Sequence, residues 1–288
     1  MQTEDIRYRA PDGLELYAKR YGSEDASLTA LCMHGLTRNH KDFEPMIAEL
    51  GGRCQFISVD VRGRANSEWA KDPETYTPAV YAGDMAALLD SLHLKKVALI
   101  GTSMGGLMSM VMAASMPDRI RGIVMNDIGP VVEKAGLDRI ASYANSVEPE
   151  ESWTAAAATV ERVQTDIFPD LSGEDWMAFA RRTYREMEDG RVILDYDPAI
   201  TRTVGEVKPD PDVQAQMWQL FSATHAAPLL VIRGETSDIL SPETADKMIE
   251  QHPDARLVTI PRVGHAPLLD EPEAVSAISD FLNRLGAE

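Results

Sequence analysis

The sequence predicts an α/β fold in which a mostly parallel central sheet of about eight strands is covered by helices on both faces, with a helical segment inserted late in the chain. Three observations lead there. Short continuous apolar runs alternate with stretches whose apolar residues recur every three or four positions, the patterns of doubly buried strands and of the helices that cover them. A long stretch, 130–224, is rich in helix formers and carries no buried-strand signal. A glycine-rich turn, Gly101-Thr102-Ser103-Met104-Gly105-Gly106, joins an apolar run directly to a helical one.

Taken in order, residues 5–9 and 14–21 read as an antiparallel strand pair around the turn Pro11-Asp12-Gly13. Residues 28–33 form a strand buried on both faces, followed by His34-Gly35 and a helix at about 43–50. Residues 55–59 give the next strand, ending at Asp60, and 79–92 a helix with apolar steps of three and four. Residues 96–100 and 107–116 are the strand and helix that flank Ser103. Strands at 120–125, 228–232 and 256–260 follow, with helices at 242–251 and 272–285. Between 130 and 224 the helical stretches are 151–164, 174–187 and 213–222. About 95 residues without a buried strand are too many for a loop. The expected organisation is therefore a core of 1–129 and 225–288 with a helical cap, 130–224, inserted after the sixth strand.

Composition narrows the function classes. A chain of 288 residues with 44% hydrophobic content buries one large core. Its formal charge of −18 repels phosphate backbones and anionic lipid surfaces, which argues against nucleic-acid and membrane partners and leaves a small-molecule substrate. No apolar run approaches the roughly 20 residues of a membrane span, and residues 1–10 are charged where a signal peptide is apolar, so a cytoplasmic location is expected. Cys32 and Cys54 lie in apolar strand-like runs and read as buried reduced thiols. No zinc-type ligand spacing occurs, and neither metal nor cofactor is expected.

Ser103 lies between small residues at a strand-to-helix turn, the setting of a nucleophile elbow, where Gly101 and Gly105 let strand and helix approach closely. A serine hydroxyl is a poor nucleophile near neutral pH, so a base must take its proton and a carboxylate must orient that base. His265 follows the final strand in Val263-Gly264-His265-Ala266-Pro267, at the same sheet end as Ser103. Asp238, in the loop after strand 228–232, is the preferred acid. Asp127, ending strand 120–125, is the alternative, and Glu235 is a weaker third. Developing negative charge calls for preorganised donors, and the backbone N–H groups of Leu36 and Met104 are the candidates, Met104 being at a helix start. His34 reads as a turn residue.

With these parts placed, the chain resembles the α/β-hydrolase superfamily, in particular its capped, cofactor-free branch of esterases, lactonases and carbon–carbon bond hydrolases. The resemblance runs the full length and rests on His34-Gly35, on the segment from Asp60 through Arg62 to Ser67, on Gly101 to Gly106, on Asp238 and on Gly264-His265. Where Ala65 stands the family usually has glycine. The resemblance implies an α/β-hydrolase fold and a serine hydrolase that cleaves a carboxylic ester or lactone of a small apolar or aromatic substrate through an acyl-enzyme. It also implies that Asp60 and Arg62 are architectural. Serine at 103 argues against relatives that use an aspartate nucleophile. Carbon–carbon bond hydrolysis of a dienoate or diketone, perhydrolase activity, and a ligand receptor on the same fold are the alternatives. Trp153, Trp176, Met177, Phe179, Met217, Trp218 and Phe221 are candidates to line an apolar pocket, and Arg38, two residues past Leu36, is placed to meet a substrate carboxylate.

Overall fold

The computed structural model describes residues 1–52, 54–144, 148–202 and 210–287. Residues 145–147 and 203–209, assigned from sequence to the cap, lie outside the described residues. In chain order the core runs β1 (Thr3–Arg9), β2 (Glu15–Tyr21), β3 (Thr29–Met33), α1 (Glu44–Leu50), β4 (Gln55–Asp60), α2 (Pro78–Ser91), β5 (Val97–Thr102), α3 (Met104–Ser115) and β6 (Ile120–Asn126). An insertion follows, made of α4 (Lys134–Ala144), α5 (Trp153–Gln164), α6 (Gly173–Thr183), β7 (Tyr184–Glu186), β8 (Val192–Leu194) and α7 (Pro211–Ser222). The core resumes with β9 (Leu229–Gly234), α8 (Pro242–Gln251), β10 (Ala255–Ile260) and α9 (Pro272–Gly286).

Eight strands form one sheet in the order β1-β2-β4-β3-β5-β6-β9-β10, antiparallel for β1–β2 and β2–β4 and parallel elsewhere. Successive side chains of a strand face opposite sides, so both faces must be covered for a run without polar residues to be stable. Leu31, Val97, Leu99, Ile123, Met125, Leu229 and Val231 pack on one face with residues of α2, α3 and α8. Ala30, Cys32, Ala98, Ile100, Val124, Leu230 and Ile232 pack on the other with residues of α1 and α9. Cys32 and Cys54 are buried free thiols on that second face, and burial pushes the Cys54 thiol up to about 12.

This topology fixes where the chemistry gathers. β3 and β5 are neighbours, and the chain leaves them in opposite directions, β3 toward β4 and β5 toward β6, so a crevice opens beyond their carboxyl ends. The loops after β3, β5, β6, β9 and β10 all emerge at that edge.

The insertion differs from the all-helical cap expected from sequence. The helix expected at 174–187 stops at Thr183, because Tyr184–Glu186 pair antiparallel with Val192–Leu194. Asp189-Gly190 supplies the turn, with Gly190 at φ 84°, a hairpin signature passed over in a helix-rich context. Helix α4, absent from the sequence reading, begins the insertion. Ala156, Val160, Phe168, Trp176, Phe179 and Val192 form a separate core there. The last helix, α7, instead returns to the main core, where Phe221 is fully buried and Trp218 packs alongside. Among the described residues no helix is long and apolar enough to cross a membrane.

Ala65 adopts φ 42°, the left-handed region in which a Cβ crowds the following carbonyl. Its N–H donates to the Asp195 carbonyl at 2.9 Å, so the insertion holds the turn in place. Glycine fits this backbone better. Ala65→Gly should raise unfolding stability by up to about 1 kcal/mol; urea denaturation that finds the variant less stable than the parent would contradict strain at this turn.

Candidate active site

Ser103 sits between β5 and α3 with φ 51° and ψ −112°. This tight elbow exists because its flanking glycines leave room: a Cβ on Gly101 would collide with the Gly105 carbonyl, and one on Gly105 with the Met33 carbonyl. The Ser103 N–H donates to the Asn126 carbonyl at 2.9 Å, which pins the elbow to the end of β6. The hydroxyl is thereby presented above the sheet edge.

His265 lies against it. The His265 Nε2 to Ser103 Oγ distance is 2.9 Å, and the His265 Nδ1 to Asp127 Oδ2 distance is also 2.9 Å. A carboxylate only accepts, so Nδ1 carries the proton, which leaves Nε2 bare to accept from the serine hydroxyl. Asp127 has φ 56° at the end of β6 and is fully buried. Its carboxylate also accepts from the Gly234 N–H at 2.9 Å and from the Ser237 hydroxyl at 2.7 Å.

Asp238, the acid preferred from sequence, is not the partner of His265. It forms a bidentate pair with Arg139 of α4, from Nε at 2.6 Å and Nη2 at 2.8 Å. Burial alone would raise its carboxyl; the Arg139 hydrogen bonds and charge hold it below the ordinary carboxylate range. The physical reason is local. Ser237 Oγ accepts from the N–H groups of Ile239 and Leu240, which curls the loop so that Ser237 meets Asp127 while Asp238 meets the insertion. Glu235 accepts from the Arg262 N–H at 2.7 Å and so ties two loops together.

The N–H groups of Leu36 and Met104 donate to no acceptor among the described residues. Two buried side chains, His34 and Arg64, set the Leu36 side. His34 Nδ1–H donates to the Gly35 carbonyl at 2.6 Å, and His34 Nε2 accepts from the Val61 N–H at 3.1 Å. In a trans peptide the carbonyl and the N–H point opposite ways, so anchoring the Gly35 carbonyl aims the Leu36 N–H away from it. Arg64, fully buried, donates from Nε to the Leu36 carbonyl at 3.0 Å and from Nη2 to Met104 Sδ at 3.4 Å, bridging the two candidate donors. Asp60 and Arg62 are tied elsewhere, Asp60 to His40 and Asn66, Arg62 to Asp84 and Asp12.

A cavity of about 90 Å³ adjoins Ser103, His265 and Leu36, and Ile140, Tyr143, Gln164 and Phe168 of the insertion close it from above. A larger cavity of about 390 Å³ continues from it, sharing Thr37, Arg38, Tyr143 and Gln164. Of the expected pocket residues, Trp153, Trp176 and Trp218 line neither. Trp176 is buried in the insertion's own core; Trp153 donates to Glu186 with Arg181 over its ring, and Trp218 stacks edge-on to Phe221 with Lys247 above it. Helical spacing of aromatics marks a helix's inner face, and here that face meets other helices. Arg38 does line both cavities, but Asp42 takes its guanidinium edge at 2.7 and 2.9 Å and Phe179 its face at 4.0 Å. Ser237, Arg139 and Tyr143 were not identified from sequence. Ser237 stands one residue before Asp238, in the same loop, and Arg139 and Tyr143 lie one turn apart on α4.

The comparisons with known proteins agree with this architecture. The model of the α/β hydrolase family matches residues 30–278, and the chain belongs to that family. It is an enzyme of the hydrolase class. A 3-hydroxybutyrate-oligomer hydrolase of Cupriavidus necator is 30% identical over 278 residues, 94% of each chain. A 2-(acetamidomethylene)succinate hydrolase of Mesorhizobium japonicum is 28% identical over 257 residues, 88% of this chain and 87% of that one. The crystal structure of an α/β hydrolase from Novosphingobium aromaticivorans superposes with a TM-score of 0.91 at 41% identity, covering 98% of both chains.

His34 gives the site a pH signature. Burial, together with the nearby Arg64 cation, lowers its pKa from 6.5 to about 4. The unfolded chain therefore takes up a proton through a range in which folded His34 stays neutral, so stability falls as pH drops across that window, by up to about 3 kcal/mol. His252, also depressed by burial, adds in the same direction. Urea unfolding of His34→Gln between pH 6.5 and 4 should show a shallower pH slope than the parent, by about 1.4 kcal/mol per pH unit; equal slopes would mean that His34 titrates normally.

Proposed function

We propose that this enzyme hydrolyses a small carboxylic ester through an acyl-enzyme on Ser103, with His265 as general base and acid and Asp127 as the carboxylate that orients it. The single observation that carries the reading is the unbroken chain Ser103 Oγ, His265, Asp127, with both links at 2.9 Å. His265 Nε2 takes the serine proton as Oγ attacks the ester carbonyl carbon. The oxyanion so formed is received by the free N–H groups of Leu36 and Met104. Collapse of the tetrahedral intermediate expels the alkoxide, which takes the proton from His265 and leaves as the alcohol. Water then enters, gives a proton to His265 and attacks the acyl carbon, and the acid departs as Ser103 recovers its proton. The insertion acts as the cap of this site. A relative named for hydrolysing hydroxybutyrate oligomers supports an ester as the bond cleaved, since hydroxy acids join to one another through esters. Of the pocket residues expected from sequence, Phe179 and Arg38 line the larger cavity, whose walls also carry Arg139, Arg162, Glu148 and Glu150.

A fluorophosphonate should label Ser103 covalently, and excess chelator should leave the labelling intact, because the nucleophile, its base and the donors all belong to the chain. Intact-mass analysis that found the adduct elsewhere, or none, would remove Ser103 as nucleophile. Turnover of a dienoate with none of any ester would move the assignment to carbon–carbon bond cleavage.

The two aspartates separate by mutation. Asp127→Asn should lower kcat on a neutral aryl ester by roughly 10³- to 10⁴-fold, since an amide in that place misdirects the His265 tautomer. Asp238→Asn should cost less than about tenfold, as the loss of one partly exposed ion pair. The opposite ranking, in variants whose circular dichroism matches the parent's, would return the acid to Asp238.

A further inference from the structure

The larger cavity holds a cation whose hydrogen-bonding capacity is only half used. Arg139 presents its Nε and Nη2 edge to Asp238, and this leaves the opposite edge, formed by Nη1 and the second Nη2 hydrogen, free of that contact. Nη1 is buried and makes no hydrogen bond among the described residues; besides Asp238, the Tyr143 hydroxyl one turn on is the neighbour that interacts with this guanidinium. A buried guanidinium N–H without an acceptor is destabilising, and this one belongs to a residue of the cavity wall, where a bound molecule can supply the oxygen.

Its neighbours say what that oxygen belongs to. Arg139 and Tyr143 line the same cavity, and Tyr143 also lines the cavity at Ser103 and His265, so a molecule bonded to the serine can extend to Arg139. Arg38 also lines the cavity, with Asp42 on its Nε and Nη2 edge and Phe179 on one face, but it leaves no buried donor without a partner among the described residues, as Arg139 does. Arg162, exposed at the cavity wall, makes no ion pair among the described residues and adds positive charge. Glu148 and Glu150 also line the cavity; Glu150 accepts from the Thr159 hydroxyl at 2.7 Å and Glu148 is exposed. Two such carboxylates, in a chain of charge −18, disfavour a polyanion and leave room for one planar monoanion.

We propose that the free edge of Arg139 is a carboxylate-recognition site, and that the esters this enzyme prefers carry one free carboxylate in the part of the substrate lying under the insertion. Asp238 is then a positioning residue, holding the guanidinium at the cavity wall by its Nε and Nη2 edge. The inference rests on the reading of Ser103 as the nucleophile of an ester hydrolase.

Acid and amide isosteres match in shape and differ in charge and in one acceptor oxygen, the two features a guanidinium recognises, and test it directly. Two pairs place the group in either half of the ester: 3-(butanoyloxy)butanoate against its primary amide, and the mono-4-nitrophenyl ester of adipate against the corresponding terminal amide. For the parent, kcat/KM should favour the acid by about ten- to a hundred-fold in at least one pair, chiefly through KM. In Arg139→Gln, and in the double variant Arg139→Gln/Asp238→Asn that removes the ion pair as a unit, that ratio should fall toward one. Each ratio is internal to its variant, so general damage to the site cancels. A parent that does not distinguish acid from amide in either pair, or folded variants that keep the parent's ratio, would overturn the proposal. Calorimetric titration of monomethyl adipate and its terminal amide into Ser103→Ala decides the matter without turnover. Tighter binding of the acid, lost on adding Arg139→Gln, supports the site, and equal binding refutes it. Should the parent hydrolyse no ester while this binding persists, the ester-hydrolase reading fails and the carboxylate site stands.

Discussion

The site depends on the placing of one buried charge. The Asp127 carboxylate gathers the end of β9 through the Gly234 N–H, the following loop through the Ser237 hydroxyl, and the loop after β10 through His265. These three donors lie 107, 110 and 138 residues along the chain from it. An ionised carboxylate removed from water is tolerated only where donors replace the lost hydration, so each loop that supplies one is held in turn by the charge it satisfies. Asn126, one residue earlier, extends the junction by donating to the Thr102 hydroxyl and to the Pro267 carbonyl. Strand end, elbow and histidine loop are therefore tied to one another.

The candidate oxyanion donors are set by a different principle. Neither is fixed by a direct bond to its own N–H, since both must stay free. Orientation comes instead from the far side of the peptide, through His34 on the Gly35 carbonyl, and from Arg64, which holds the Leu36 carbonyl and the Met104 side chain together. Arg64 is a fully buried cation that forms no ion pair among the described residues; its donors go to carbonyls, the Tyr81 hydroxyl and a sulfur. His34, kept neutral by burial, and Arg64, without an ion pair among the described residues, hold the donors without bringing a carboxylate of their own.

What could be read from the sequence follows from what each pattern encodes. Strands such as Leu229–Gly234 and the glycines around Ser103 declare themselves because apolar continuity and missing side chains are dictated locally. The histidine was legible from its place after the last strand. The carboxylate bonded to His265 was not, because Asp127 and Asp238 both end up near it and their difference lies in the curl of the Ser237 loop, which depends on the Ile239 and Leu240 N–H groups. The tryptophans misled for a related reason. Periodicity places a residue on the buried face of a helix but does not say whether that face meets a substrate or another helix. Helix α4 was missed because its apolar face is narrow, with only Gly136 and Ala144 fully buried, and yet it carries Arg139, Ile140 and Tyr143 to the cavity.

The pairing of Arg139 with Asp238 joins the insertion to the core at a loop whose preceding residue supports Asp127. Gly136 adds to the seam, its N–H donating to the Asp238 carbonyl at 3.0 Å, in a space where a Cβ would strike Ile239. The roof of the cavity and the support of Asp127 are thus not separable modules in this molecule. A lineage that exchanged its roof for a new one would need to bring a matching cation and a glycine at the same seam, or disturb the support of its own acid. Drift toward new substrates is therefore channelled into changes that leave the root of the roof in place and vary the walls beyond it.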